Sequence, residues 1–211
     1  SSTNQNVVPE KKASLKITEW RFSELLGEKI PLNNFKSNPE NESFLVTNCK
    51  FSSTGDHQIV TDKGGRVIIF RKKDKKTTSA PKLEYYYEFP AHDKDFDVHK
   101  SQEYSEEIKS FAVFPIIDHH KLDLITASYR NIHIDRIYQK SNKVYDNKNF
   151  NPSSDSYTVP KLKGTKNEVK HKSLLKLDGI HTNEINSVSV NQLNVDNFLS
   201  SDESKIFIWD V

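Results

Sequence analysis

"HTNEINSVSVNQLNVDNFLSSDESKIFIWDV", His181 to Val211, is the most regular stretch of the chain. It holds three short runs, EINSVSV (Glu184 to Val190), NFLSS (Asn197 to Ser201) and KIFIWDV (Lys205 to Val211), parted by polar turns. Apolar alternation between such turns predicts antiparallel strands rather than helices. His181 ahead of the first run and IWD (Ile208 to Asp210) in the third have the His…Trp-Asp spacing of WD-type repeats. In that framework a histidine, a hydroxyl on the second strand, an aspartate in the turn and the tryptophan form a buried hydrogen-bond chain. His181, Trp209 and either Ser200 or Ser201 are its candidates here, and Glu203 is read as standing where the aspartate is expected.

Working outward, the same order of elements occurs twice more. FLVTNCKF, HQIVT and RVIIF (Phe44 to Phe70) are split by SSTGD and DKGG, and KLEYYYEF (Lys82 to Phe89) supplies a fourth strand. In that strand alternation puts Leu83, Tyr85, Tyr87 and Phe89 on one face, so the tyrosines read as sheet packing rather than a stacking platform. IKSFAVF, LDLITAS and NIHIDRIY (Ile108 to Tyr138) follow, and SLLKL (Ser173 to Leu177) closes that unit after a long polar excursion. Four-stranded units at this spacing predict an all-β propeller of WD-type blades. The expected divisions are a disordered tail over 1–14, an anchoring segment and loop over 15–41, and a first blade over 42–91. A second blade spans 92–178 with an insertion at 139–172, and a partial third spans 179–211. The first two units are expected to lack the hydrogen-bonded staple. Helical spacing is weak everywhere, with room for a turn or two only at Ile17 to Gly27 and Glu103 to Lys109.

Bulk properties narrow the function classes. The 211 residues are 34% hydrophobic with a mean hydropathy of −0.74, a polar chain rich in loops. Lys and Arg number 31 against 29 Asp and Glu, so no chain-wide field draws it to nucleic acid or an anionic membrane. The one cysteine, Cys49, excludes an intrachain disulfide and suggests a reducing compartment, the cytoplasm or the nucleus. No apolar run approaches the roughly 20 residues that span a bilayer. The chain has no methionine, even at position 1. It is therefore expected to be a piece of a longer protein, either continuing past Val211 or depending on a partner.

Chemistry-bearing motifs are sparse. Cys49 lies on a strand and no nucleophile sits beside a base, so nucleophilic catalysis has no candidate. DHHK (Asp118 to Lys121) and His92 with Asp93 and Asp95 lack a third ligand at a recognisable spacing, and no metal is expected. Gly64 and Gly65 are too short a run to cradle phosphate, and read as a hairpin turn needing positive φ. RKKDKK (Arg71 to Lys76) reads as a solvated loop interrupted by Asp74.

Two further stretches carry a resemblance. HDKDFDVHKSQEYSEEIKSFAVF (His92 to Phe114) and HTNEINSVSV (His181 to Val190), taken with DKGGRVIIF, closely resemble the WD-repeat B-type (55 kDa class) regulatory subunits of protein phosphatase 2A. The resemblance runs over Ile17 to Val211, about the N-terminal half of that family's seven-bladed propeller. It implies a non-catalytic module with no cofactor, which recruits phosphoprotein substrates and binds the scaffold (A) and catalytic (C) subunits. Substrate-facing positions of the family fall on Glu42, Lys63, Phe96, Lys100 and Glu203. Asn183 and Glu184 replace a Tyr-His pair of the family, and 139–172 matches by position an arm that reaches the scaffold. The alternatives left by the residues themselves are a generic WD-repeat scaffold and a nucleic-acid-binding propeller using RKKDKK.

Overall fold

The computed structural model describes Leu26 and residues 43–73, 82–97, 102–104, 106–116, 118, 120–146, 150–151, 153, 156–157 and 159–210. The expected tail, nearly all of the anchoring segment, Glu42 and Lys100 lie outside these residues. The first sheet takes its strands in chain order, β1 (Val46–Phe51), β2 (His57–Asp62), β3 (Arg66–Lys72) and β4 (Leu83–Pro90). A two-stranded hairpin follows, β5 (Asp95–Asp97) with β6 (Gln102–Tyr104). The second sheet orders β7 (Ser110–Val113), β8 (Lys121–Ala127), β9 (Ile132–Tyr145) and β12 (Leu162–Leu177) as β12-β9-β8-β7. Between its last two strands lies a small pair, β10 (Phe150–Asn151) with β11 (Ser156–Tyr157). The third sheet is β13 (Ser187–Val190), β14 (Asn197–Ser201) and β15 (Ile206–Asp210).

The sheets stack face to face. Ile59, Val67, Ile69 and Phe89 of the first pack on Phe111, Leu122, Leu124 and Ile137 of the second. Ile125, Ile132 and Ile134 on its other face meet Val188, Val190 and Phe198 of the third, with Ile185 just ahead of β13. The middle sheet is thus covered on both sides, which is why FAV (Phe111 to Val113) and LITA (Leu124 to Ala127) run apolar without alternation. Each fully buried Ile or Phe there contributes about 1.5–3 kcal/mol.

First strands of successive sheets run side by side and parallel. Asn48 Nδ2 donates to the Lys109 carbonyl at 3.4 Å, Lys50 Nζ to that of Phe111 at 2.5 Å, and the Ile116 amide to Ser53 Oγ at 3.2 Å. Similarly, the Val188 amide donates to Ser110 Oγ at 3.1 Å and Gln192 Nε2 to the Val113 carbonyl at 3.3 Å. Up-and-down sheets stacked through parallel innermost strands are the blades of a β-propeller.

Three details depart from the sequence expectation. A bulge between Ile69 and Phe70, paired with Tyr87 and Tyr85, breaks the alternation of β4. Tyr85 is consequently 60% exposed, while Tyr86 and Tyr87 lean on the core and Tyr86 takes the Arg71 guanidinium 4.9 Å over its ring. Second, much of the excursion at 139–172 is not loop. β9 and β12 stay paired from Leu177↔Ile132 out to Leu162↔Tyr145, a ribbon whose outer half has no sheet beneath it. Third, the stretch expected to coil at Glu103 begins inside strand β6.

Candidate functional site: a rim of hairpin tips

Parallel stacking brings the β2–β3, β8–β9 and β14–β15 tips, and the connections leaving β4 and β12, to one end of the blades. The Ala91 amide donates to the Gly65 carbonyl at 3.0 Å, holding the exit of β4 against the first tip. The Ile185 amide reaches the Tyr129 carbonyl at 2.8 Å and the Gly179 amide reaches Asn131 Oδ1 at 3.1 Å, tying the connection after β12 to the second.

At the first tip, DKGGR, the charges have separate tasks. Asp62 is buried, and its carboxylate accepts from the Arg66 amide at 3.0 Å and from Arg66 Nε at 2.9 Å. Arg66 in turn lies 4.9 Å over the Phe44 ring. Both are structural, and Lys63 alone points out from the tip, exposed. Its amide donates to the Leu45 carbonyl and that of Gly64 to Ser43, both at 2.9 Å, so the strand leading into β1 is laid across the tip. Only Gly65 has positive φ, at 74°; Gly64 is needed because a Cβ there would meet the Ser43 carbonyl oxygen at 3.0 Å. Gly65→Ala is expected to cost about 1–2 kcal/mol and lower Tm by roughly 2–8 °C, read by thermal denaturation.

At the third tip the staple is complete. Trp209 Nε1 donates to Ser200 Oγ at 2.8 Å, Ser200 Oγ lies 2.8 Å from His181 Nε2, and His181 Nδ1 lies 2.9 Å from Asp202 Oδ2. Asp202 Oδ1 accepts from the Ser204 and Lys205 amides, each at 2.8 Å. The hydrogen bond from His181, followed by those from Ser204 and Lys205, holds the Asp202 carboxyl down at about 2. This corrects two expectations. The aspartate is present at Asp202, so Glu203 is not its substitute but an exposed residue of the turn. The earlier units do not lack the set altogether either, for Asp62 keeps the buried carboxylate and His92 the buried histidine. The Ser200-x-Asp202 spacing in the sequence could have located it.

Lys63 and Glu203 therefore share the rim, exposed on its first and third tips. Phe96 lies in β5 opposite Glu103, on the connection between the first and second blades. At the altered pair after His181, Glu184 bridges to Lys109 at 2.8 Å across the blade boundary, and that contact, ahead of Glu107, raises the Lys109 ammonium pKa. Among the described residues no group of three or more His, Cys, Asp or Glu could hold a metal ion.

No family model matches the chain. It is 27% identical over 199 residues to a protein phosphatase PP2A regulatory subunit of the B type from Candida tropicalis, covering 90% of this chain and 38% of that one. The protein of the same name from Schizosaccharomyces pombe is 26% identical, covering 92% and 42%. The serine/threonine-protein phosphatase 2A regulatory subunit phr2AB of Dictyostelium discoideum is 24% identical, covering 92% and 48%. The chain thus spans less than half the length of these relatives. Among solved structures it is similar to the Myceliophteria thermophila Cps50 (Swd1) β-propeller domain, with a TM-score of 0.44 and 11% identity over 79% of this chain and 40% of that one. Over nine-tenths of its length the chain is similar to proteins named as B-type regulatory subunits of protein phosphatase 2A.

Proposed function

We propose that the chain is part of a non-catalytic regulatory subunit of a protein phosphatase 2A holoenzyme, which holds substrates on the rim of hairpin tips and so directs the catalytic subunit. The single observation that carries this reading is the similarity, over nine-tenths of the chain, to proteins named as such subunits. The rim adds a physical basis. Rigid blades fix Lys63 and Glu203, and charges on fixed tips select a partner segment and speed its encounter. Glu42, Phe96 and Lys100 belong to the same docking set. A catalytic subunit with an open active site gains discrimination when a rigid neighbour raises the local concentration of chosen substrates. The scaffold subunit is met by the β9–β12 ribbon, where Lys140, Lys143, Lys163 and Lys166 stand exposed.

The test is affinity purification of the full-length protein at moderate salt, with immunodetection of scaffold and catalytic subunits. Both are expected, and their absence at low salt overturns the reading. In the same assay Lys63→Glu is expected to leave the scaffold and catalytic subunits associated while reducing retention of docked phosphoproteins several-fold, because it reverses one charge on the rim without touching the blade core.

A further inference from the structure

Strand register puts the second and third sheets in one frame. Ala127 pairs with Ile132 across the second tip as Ser201 pairs with Ile206 across the third. Thr126 then stands where the third sheet has Ser200, Ser128 where it has Asp202, His133 where it has Phe207, and Asp135 where it has Trp209. The histidine is kept: His92 is buried with its ring stacked on His133 at 4.2 Å, as that of His181 meets Phe207 edge-on at 4.5 Å.

The bonds, however, have been redirected. His92 Nδ1 faces Ser128 Oγ at 3.4 Å, but Ser128 offers a hydroxyl where Asp202 offers a carboxylate. The carboxylate comes instead from Glu106, whose Oε2 accepts from Ser128 Oγ at 2.5 Å. Ser128 has one hydroxyl proton to donate, and it points to Glu106. Its lone pair is left to accept from His92 Nδ1–H, so His92 Nε2 carries no proton. His92 Nε2 and Thr126 Oγ1, whose counterparts bond at 2.8 Å in the third sheet, are both buried without a partner. The second blade has given up the inward half of its staple and kept the half that faces the rim.

His92 and Glu106 bracket the connection that carries the β5–β6 hairpin with Phe96. We propose that Ser128 is a clasp, joining the two ends of the 92–106 loop and so positioning its hairpin on the docking rim. The purpose assigned to the loop rests on the proposed function; the clasp itself does not. A charge-assisted hydrogen bond to a carboxylate is about twice as strong as a neutral one, which suits a two-stranded hairpin too short to hold itself. Asp93, paired with Lys176 of β12, adds a second tie at the loop's start.

The experiment is hydrogen exchange by mass spectrometry on the full chain and on three variants, with thermal denaturation alongside. In Ser128→Ala, amides of 95–104 are expected to exchange about tenfold faster while those of 121–127 keep their protection. Ser128→Thr keeps the hydroxyl and is expected to restore the slow rate. Ser128→Asp rebuilds the third-sheet pairing for His92 but repels Glu106, and is expected to exchange at 95–104 as fast as Ser128→Ala with no lower Tm. A serine that merely supports the blade predicts otherwise: uniform loss of protection in Ser128→Ala and full recovery in Ser128→Asp, and that pattern overturns the clasp. So does a wild-type loop that already exchanges at the unprotected rate. Should the exchange results hold while the purification finds no phosphatase subunits, the docking reading fails and the clasp stands.

Discussion

Acidification from pH 6.5 towards 3 is expected to weaken the fold by about 1.4 kcal/mol per pH unit through His92 alone. Burial is the first cause, since charging a ring sealed against the second blade removes an ion from water. The neighbouring His133 and Lys176 act in the same direction, Asp93 opposes them, and the imidazole pKa falls from 6.5 to about 3. The sign follows directly. Between those values the unfolded chain carries a proton on His92 that the folded chain refuses, so the unfolded state gains as pH drops. Above 6.5 neither state is protonated and below 3 both are, so the slope is confined to that window. Asp202 acts lower, its depressed carboxyl adding stability that is lost only between about 4 and 2. Urea denaturation from pH 4 to 7 checks the first effect. His92→Gln, which cannot charge, should flatten the slope by one proton's worth even if it is less stable at pH 7. Parallel slopes in the two proteins would mean that His92 is protonated in the fold.

The blade pattern was legible in the sequence because each blade buries a face. Where Val67 and Ile69 turn inward and Arg66 and Ile68 do not, alternation marks the strand. The outer ribbon was not legible for the same reason reversed: Ser141, Lys143, Thr165 and Lys166 stand on paired strands whose outer half is wet on both faces, and such a ribbon has no apolar period. The bulge in β4 left no trace in three consecutive tyrosines, since a one-residue slip swaps identical side chains. Counting failed by one position at Asp202, because turn length, not composition, decides which of two adjacent acids is drawn inward. The redirected staple was hidden for a different reason. Glu106 lies 22 positions from Ser128 and joins it only once β7 has paired with β8.

Removing His181 should be the most damaging single change to the third blade's staple, about 3 kcal/mol for His181→Phe. Phenylalanine keeps an aromatic ring against Phe207 but supplies neither nitrogen, so Asp202 loses the strongest of its hydrogen bonds and Ser200 loses an acceptor, both inside the fold. Trp209→Phe is milder, about 1 kcal/mol, since stacking on Phe198 at 5.6 Å survives while one donor is lost. The two sites are coupled through a single hydroxyl. Ser200 Oγ accepts from Trp209 and donates to His181, and a donor that is also an acceptor is polarised by both neighbours. A double-mutant cycle on His181→Phe and Trp209→Phe, measured by urea denaturation, should therefore give a coupling of about 0.5–1 kcal/mol, the double variant being less unstable than the sum. Strict additivity would mean that the tryptophan and the histidine hold the strands independently. The same cycle with Ile208→Val, which points to the opposite, exposed face, should show no coupling, because Ile208 shares none of these partners.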